Sequence, residues 1–152
     1  VKTIEERFWE KVDKTETCWN WTAGQQKGYG AFSIARRPTG AHRYSYAAVH
    51  GPIPDGLEID HICHNRLCVN PQHLRAVTSK QNGENLRGAY SNSRSGVRGV
   101  SWFKRDSKWR AEVGHNGGRV WLGYFDSLQD AESAVIAKRN ELFTHNDLDK
   151  AA

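Results

Sequence analysis

The fifteen residues from Asp60 to Leu74, DHICHNRLCVNPQHL, hold two cysteines, three histidines, an aspartate and two asparagines. Cys63, Cys68 and His73 follow one another at five-residue intervals, as Cys-x4-Cys-x4-His. Zinc takes four tetrahedral sulfur or nitrogen ligands, so three are local and one must come from elsewhere. Cys18 is the remaining cysteine of the chain. A site joining it to the cluster would staple the N-terminal segment to the loop, and the metal's binding energy would count toward folding. His42, His50 and His64 are weaker candidates for the fourth place. Cysteines that are only small buried hydrophobes beside polar loop histidines would be the plainer reading. The regular His spacing and the use of every cysteine favour a metal.

Asp60, His61, Asn70 and Asn82 remain for chemistry. A carboxylate at a strand end and an amide oxygen on the following helix are hard donors suited to Mg²⁺, which otherwise leans on water and substrate phosphate. A neutral His61 could take a proton from water attacking phosphorus while a metal stabilises the developing charge and the leaving 3′-oxygen. Side chains alternate along a strand, so Asp60 and His61 share one direction only if the strand bends or bulges there. A backbone irregularity at that point is expected.

Short elements must position these groups. TIEERFWEKVD, residues 3–13, places Ile4, Phe8, Trp9 and Val12 at helical spacing behind a Thr3/Glu6 capping box. The Gly-punctuated alternation from Cys18 to Arg37 reads as a twisted hairpin. AHRYSYAAVH reads as a helix closed by Gly51 and Pro52, with a turn at Pro54–Gly56. Leu57–Ile62 and HLRAVT are strands around the Cys/His loop, and SKQNGENLR is a helix with Ser79 as N-cap. The order is strand, loop, strand, helix.

At residues 87–96, RGAYSNSRSG, the composition turns to Ser, Asn and Gly, which predicts a linker or extended arm. The pattern then restarts as three strands divided by turns near 105–107 and 116–118, followed by an amphipathic helix. Its apolar positions are Ala131, Ala134, Val135, Ala137 and Leu142, with Asp126 or Ser127 as cap. Residues 94–124 hold seven Lys/Arg against two acids, whereas 125–152 hold three against six. The net charge of +5 is therefore concentrated on the sheet, a polyanion-binding signature. No apolar run approaches a membrane span, and no secretory h-region opens the chain, which places it in a reducing cytosol.

DHICHNRLCVNPQHLRAVTSKQNGEN resembles the ββα-metal motif of HNH endonucleases, and its Cys-x4-Cys-x4-His spacing with a downstream Asn is similar to the His-Cys box homing endonucleases. The resemblance implies a structural zinc on Cys18, Cys63, Cys68 and His73, His61 as general base, and a catalytic divalent ion, Mg²⁺ or another, on Asp60 and Asn82. It also implies a basic residue that stabilises the transition state, for which Arg43 in AHRYSY is the candidate. The chain departs from the His-Cys box in having Asp60, and from plain HNH in placing His73 where a strand-opening Asn is common.

SGVRGV, KWRAEV and GRVWLGYFD resemble the AP2 DNA-binding domain, whose sheet enters the major groove. The matching positions are Arg98, Glu112, Arg119 and Trp121, with Arg110 and the linker residue Arg94 as further contacts. Ser101 and Gly114 stand where plant AP2 domains present arginines, so base specificity does not carry over. Trp109 reads as sheet-to-helix core.

The expected architecture is α+β: a zinc-stapled ββα-metal nuclease domain at 1–87, a linker at 88–95, an AP2-like three-stranded antiparallel sheet plus helix at 96–146, and a tail at 147–152. The expected function is a sequence-dependent endonuclease of double-stranded DNA, phage- or intron-associated and of homing type, acting in the bacterial cytoplasm. One active site per chain means that a double-strand cut needs a homodimer or successive nicks. The alternative is a DNA-binding regulator with a structural zinc and an inactive nuclease fold.

Overall fold

The computed structural model describes residues 1–152, in two compact units, Val1–Asn82 and Gly83–Ala152. No helix is long and apolar enough to cross a membrane.

In the first unit, α1 (Ile4–Trp9) begins at the predicted capping box. Glu6 N–H donates to Thr3 Oγ1 at 3.1 Å, and Thr3 N–H donates to the Glu6 carboxylate at 2.8 Å. The helix stops well short of Asp13. Val12 instead pairs with Trp21 in a hairpin of β1 (Val12–Lys14) and β2 (Trp19–Trp21), because a β-branched residue packs better on a pleated surface than in a fraying last turn. The single twisted hairpin expected after Cys18 is in fact two further two-residue ladders, β3 (Gln25–Gln26) with β4 (Tyr29–Gly30) and β5 (Ser33–Ile34) with β6 (Arg37–Pro38).

Phe8, Trp21, Phe32, Ala41 and Val69 form the buried core of this unit. Phe8 lies at its centre, with ring centroids 4.6 to 5.2 Å from those of Trp9, Trp21, Phe32 and Tyr44. Gly30 is required by this packing, since a Cβ there would sit 2.7 Å from the Trp21 indole and 2.9 Å from Ala41. Helix α2 (Ala41–His50) closes at Gly51, whose φ of 86° is open to glycine at little cost. Its Ser45 hydroxyl is buried and donates to the Val69 carbonyl.

Strands β7 (Glu58–His61) and β8 (Leu74–Val77) pair antiparallel in unbroken register, with Asp60 opposite Arg75 and His61 opposite Leu74. The expected irregularity between Asp60 and His61 is therefore absent, and the two side chains take opposite faces. Helix α3 (Ser79–Glu84) follows. Its cap is Thr78 rather than Ser79: Gln81 N–H donates to Thr78 Oγ1, and Thr78 N–H to the Gln81 side chain. Thr78-x-x-Gln81 thus makes both bonds of a capping box, while Asn82 donates to the Glu58 carboxylate.

In the second unit, β10 (Lys108–His115) lies between β9 (Val100–Phe103) and β11 (Gly118–Phe125), all antiparallel. Helix α4 (Leu128–Leu142) covers one face, its N-terminus capped by Ser127. Val100, Ala111, Val113, Ala131, Val135 and Phe143 form the core, with Trp109 half-buried against it. Of the predicted apolar helix positions, Ala137 faces solvent. The buried seam runs Ala131, Val135, Arg139, and the Arg139 guanidinium is neutralised by Asp149 at 2.6 Å and donates to the Arg98 carbonyl. That pair ties down α5 (Asp147–Ala151), where a loose tail was expected.

The linker expected at 88–95 folds with this unit instead. The buried Glu84 carboxylate accepts from the backbone N–H groups of Thr144 and His145. Ser95 Oγ donates to the Val100 carbonyl at 2.6 Å. The division between units falls at Asn82/Gly83, inside α3 and ahead of the predicted boundary. Backbone polar groups that find internal partners hold a Ser/Gly-rich stretch in place despite its composition.

Candidate metal centre and the groups around His61

Residues 67–69 run beside β2: Trp21 N–H donates to Leu67 O, Val69 N–H donates to Trp19 O, and Asn20 bridges Cys68. This pairing carries Cys18, one residue before β2, to the loop. The ligand atoms of Cys18, Cys63, Cys68 and His73 all lie within 4.8 Å of one another. His73 Nδ1 is 3.7 Å from Cys18 Sγ and 3.5 Å from Cys68 Sγ. A tetrahedron with zinc–ligand lengths of about 2.0–2.3 Å has edges of roughly 3.5–3.8 Å, so the donor set fits the ion in both chemistry and spacing. Thiol electrostatics agree. Cys63 is pulled below its usual range by its hydrogen bond with Cys68, while that same bond and burial push Cys68 up to about 12. A bound cation would replace this shared proton. His42, His50 and His64 stay outside the cluster.

His61 closes β7 and is buried. Its Nε2–H donates to the Cys68 carbonyl at 3.0 Å, which fixes the tautomer and leaves Nδ1 as the proton-accepting nitrogen. Burial lowers its pKa most, the Cys68 carbonyl and Asp60 oppose that, and the charges of Arg66 and His64 add to the lowering. Its ring packs with two others: Tyr29 at 5.9 Å and His42 at 5.1 Å, with Tyr29 and His42 also 5.1 Å apart. The Arg66 guanidinium sits 5.3 Å from the Tyr29 ring centre. Neither Tyr29 nor Arg66 was expected from the sequence, and His42 only as a spare zinc ligand.

On the other face of β7, Asp60 is buried and accepts from Arg75 Nε at 2.9 Å. Asn82 is on the side of Glu58, to whose carboxylate it donates. Alternation puts Glu58 and Asp60 on one face, so the two expected divalent-ion ligands share a face and engage different partners. Glu58 adds a carboxylate that sequence reasoning passed over. Asn70 is buried and structural: it accepts from Gln72 N–H and donates to Thr17 O. Arg43 is exposed on α2, and its charge contributes to the lowered pKa of His42.

In the second unit, the sheet face turned away from α4 presents Arg110, Glu112, Arg119, Trp121 and Tyr124, linked by the pairings Arg110 with Tyr124 and Glu112 with Trp121. Glu112 accepts from both Arg110 and Arg119. Trp121 and Tyr124 are exposed and meet edge to face at 4.9 Å, with Phe103 packed 5.1 Å from Tyr124. Tyr124 and Phe103 were not anticipated. Arg98 lies off this ladder. Half-buried, it donates to the carbonyls of Gly83 and Glu84 and stacks on Phe143. Arg94 is exposed.

Comparison with known proteins bears on the segment that holds His61 and the Cys/His loop. The HNH endonuclease family profile matches residues 39–84, which span α2, both β7 and β8, the Cys/His loop and α3. Protein 3.8 of Escherichia phage T7 is 39% identical over 88 residues, covering 58% of this chain and 69% of that protein. Protein 7.7 of the same phage is 39% identical over 72 residues, 47% of this chain and 55% of its own length. An uncharacterized HNH endonuclease of Acanthamoeba polyphaga mimivirus is 35% identical over 77 residues, 50% of this chain and 38% of that protein. The chain thus spans between about a third and two thirds of these relatives. No solved structure matches.

Proposed function

We propose, from the premise that the chain belongs to the viral HNH endonuclease family, that it hydrolyses phosphodiesters of double-stranded DNA with His61 as general base and a divalent ion. The carrying observation is His61 itself, a buried imidazole tethered through Nε2 to a carbonyl of the Cys/His loop. Nδ1 removes a proton from water as its oxygen attacks phosphorus, and the P–O3′ bond breaks to leave a 5′-phosphate and a 3′-hydroxyl. Asp60 and Asn82 would hold the divalent ion once Asp60 leaves Arg75 and the end of β7 turns, since in unbroken register Asp60 and His61 face opposite ways and could not serve one phosphate. The ion would stabilise charge on the leaving oxygen. Cys18, Cys63, Cys68 and His73 would hold zinc, which fixes the loop whose carbonyl orients His61.

The ladder of Arg110, Arg119, Trp121 and Tyr124 suits an AP2-like mode of binding, with guanidinium groups reading phosphates or guanine edges and rings packing on sugars. The viral relatives fit a phage-borne enzyme, homing type included, acting in its host. The Asp60–Arg75 pair favours the second reading, a DNA-binding regulator on an inactive nuclease fold, because it occupies the carboxylate that a divalent ion would need.

A supercoiled-plasmid assay separates them, with wild type and His61→Ala, each in Mg²⁺ and in EDTA. Metal-dependent nicking or linearisation by the wild type, reduced about 10²-fold or more in His61→Ala with DNA binding retained, is the expected outcome. Equal cleavage by both proteins would remove His61 from the base role. DNA shifted in a gel and left uncut by both would favour the regulator.

A further inference from the structure

Beside the ladder of Arg110, Arg119 and Trp121, the second unit opens a cavity of about 400 Å³, within the size range of small-ligand sites. Its wall includes Tyr90, Arg98, Glu112, Gly114, Arg119 and Phe143. Two glycines make it. Pairing between β9 and β10 ends at Val100 opposite Ala111, and just before it Gly99 turns away with a φ of 87°, its carbonyl accepting from Glu112 N–H at 2.9 Å. A Cβ on Gly99 would lie 2.5 Å from the Glu112 carbonyl oxygen, so only glycine passes this close. Beyond that point β10 has β11 on one side and no strand on the other. The polar groups of alternate strand residues point the same way, so Gly114 aims its N–H and C=O toward the edge that β9 has left. Gly114 is the second glycine, and it stands where plant AP2 domains present an arginine. A Cβ there would meet nothing nearer than the Gly118 carbonyl, at 3.9 Å. The missing side chain leaves the cavity open.

The wall carries an excess of positive charge. Glu112 already answers both Arg110 and Arg119, and Arg139, also on the wall, is answered by Asp149. Arg98 gives its N–H groups to the main-chain carbonyls of Gly83 and Glu84 rather than to a carboxylate. Burial first, and then the charge of Arg139, lowers the pKa of Arg98, and an anion in the cavity would counter that repulsion. Phe143 is buried, with the Arg98 guanidinium 5.4 Å from its ring centre, while Tyr90 is exposed.

We propose that this cavity binds a nucleotide, with the base on the Tyr90 ring and against the Gly114 edge, and the phosphate on Arg98 and Arg119. A base has a flat face that stacks on aromatic rings and an edge that pairs with a main-chain donor and acceptor, and a phosphate takes guanidinium in a paired, charge-assisted contact. A wall without rings would suit a bare anion, and one without guanidinium groups an uncharged ring; this wall has both. Two sources carry this chemistry, an unpaired residue of a DNA strand and a free mononucleotide. The site stands whether or not His61 cuts DNA.

The test titrates full-length wild type, Gly114→Leu and Arg119→Gln with deoxyadenosine monophosphate, deoxyadenosine and inorganic phosphate, following amide spectra. A second series compares a fully paired duplex with one that carries a single unpaired fluorescent adenine analogue. Wild type is expected to bind the monophosphate at least about tenfold more tightly than deoxyadenosine or phosphate, or to prefer the unpaired duplex by a similar factor. The first result identifies a free mononucleotide as the ligand, the second a residue of a DNA strand. Either preference should vanish in Gly114→Leu with its amide spectrum otherwise kept. Arg119→Gln should weaken the phosphate-bearing ligand and leave deoxyadenosine unchanged. Phosphate bound as tightly as the monophosphate would reduce the cavity to an anion site and overturn the nucleotide assignment. The cavity itself would be overturned by shifts that spare the amides of Tyr90, Arg98 and Gly114, by equal binding in wild type and Gly114→Leu, or by a wild type with neither preference.

Discussion

His42, half-buried, and His61, buried, are neighbouring imidazoles, and loss of solvent has a different consequence in each. In His61 the carbonyl of Cys68 and the charge of Asp60 offset part of the desolvation, so the ring is neutral at neutral pH and ready to accept a proton. His42 has no such support. Its Nδ1 is buried without a hydrogen-bond partner, and burial, with the nearby charges of His61 and Arg43, lowers its pKa from 6.5 to about 4. Folding therefore depends on pH in a definite direction. Above the unfolded value the ring is neutral in both states and costs nothing. Below it the unfolded chain binds a proton that the folded chain refuses, so stability falls with pH until the folded value is reached. The loss amounts to about 2 kcal/mol at about pH 5 and about 3 kcal/mol at about pH 4. Urea unfolding followed across this window should show the decline in wild type and a much shallower one in His42→Gln. Comparing the two at each pH removes the contribution of the thiol ligands, which also protonate in acid. Parallel curves would show that His42 is not the group responsible.

At the scale of elements, the β5–β6 hairpin carries avoidable strain. Its turn residues Ala35 and Arg36 have φ of 47° and 64°, the two positive angles of a type I′ turn that favours Asn-Gly. Side chains in this region cost about 1–2 kcal/mol each. Ala35→Asn with Arg36→Gly should therefore stabilise the first unit by about 1 kcal/mol or more, read as a higher urea midpoint with unchanged slope. An unchanged or lower midpoint would mean that the side chains repay the strain through contacts of their own. This turn also marks what the sequence shows and what it hides. Signals that close within one short stretch of chain were legible: the Thr3/Glu6 capping box, the Gly51 stop, the Ser127 cap, and the five-residue spacing of Cys63, Cys68 and His73. Cys18 followed because no other cysteine remained. Signals that depend on distant partners were not. Val12 looked helical until Trp21 claimed it. The ring cluster of Tyr29, His42 and His61 and the ion pair of Asp60 with Arg75 arise from packing and cross-strand register. Residue type and spacing carry neither.

At the scale of the whole molecule, the two units depend on different forces. All three cysteines lie in the first unit, where the largest buried apolar cluster has five side chains and the strands are two to four residues long. Elements this short hold few backbone hydrogen bonds each and are marginal without a staple. Structural zinc contributes about 10–16 kcal/mol of apparent binding energy in small domains, enough to decide whether such a unit folds. The second unit has no such ligands. Its stability rests on eight-residue strands against a fifteen-residue helix and on the Arg139–Asp149 clamp. If Cys18, Cys63, Cys68 and His73 hold zinc, as proposed, stripping it with a thiol reagent and chelator should abolish the calorimetric transition of residues 1–82 and leave that of residues 83–152 close to its original temperature. Amide exchange should show protection lost in β7, β8 and α2 and kept in β10 and α4. On the proposed nuclease reading, the stripped chain should lose cleavage yet still shift DNA through the Arg110, Arg119 and Trp121 face, with a strong salt dependence. A single transition that moves as one on metal removal would show that the units unfold together, and the staple would then support the whole chain.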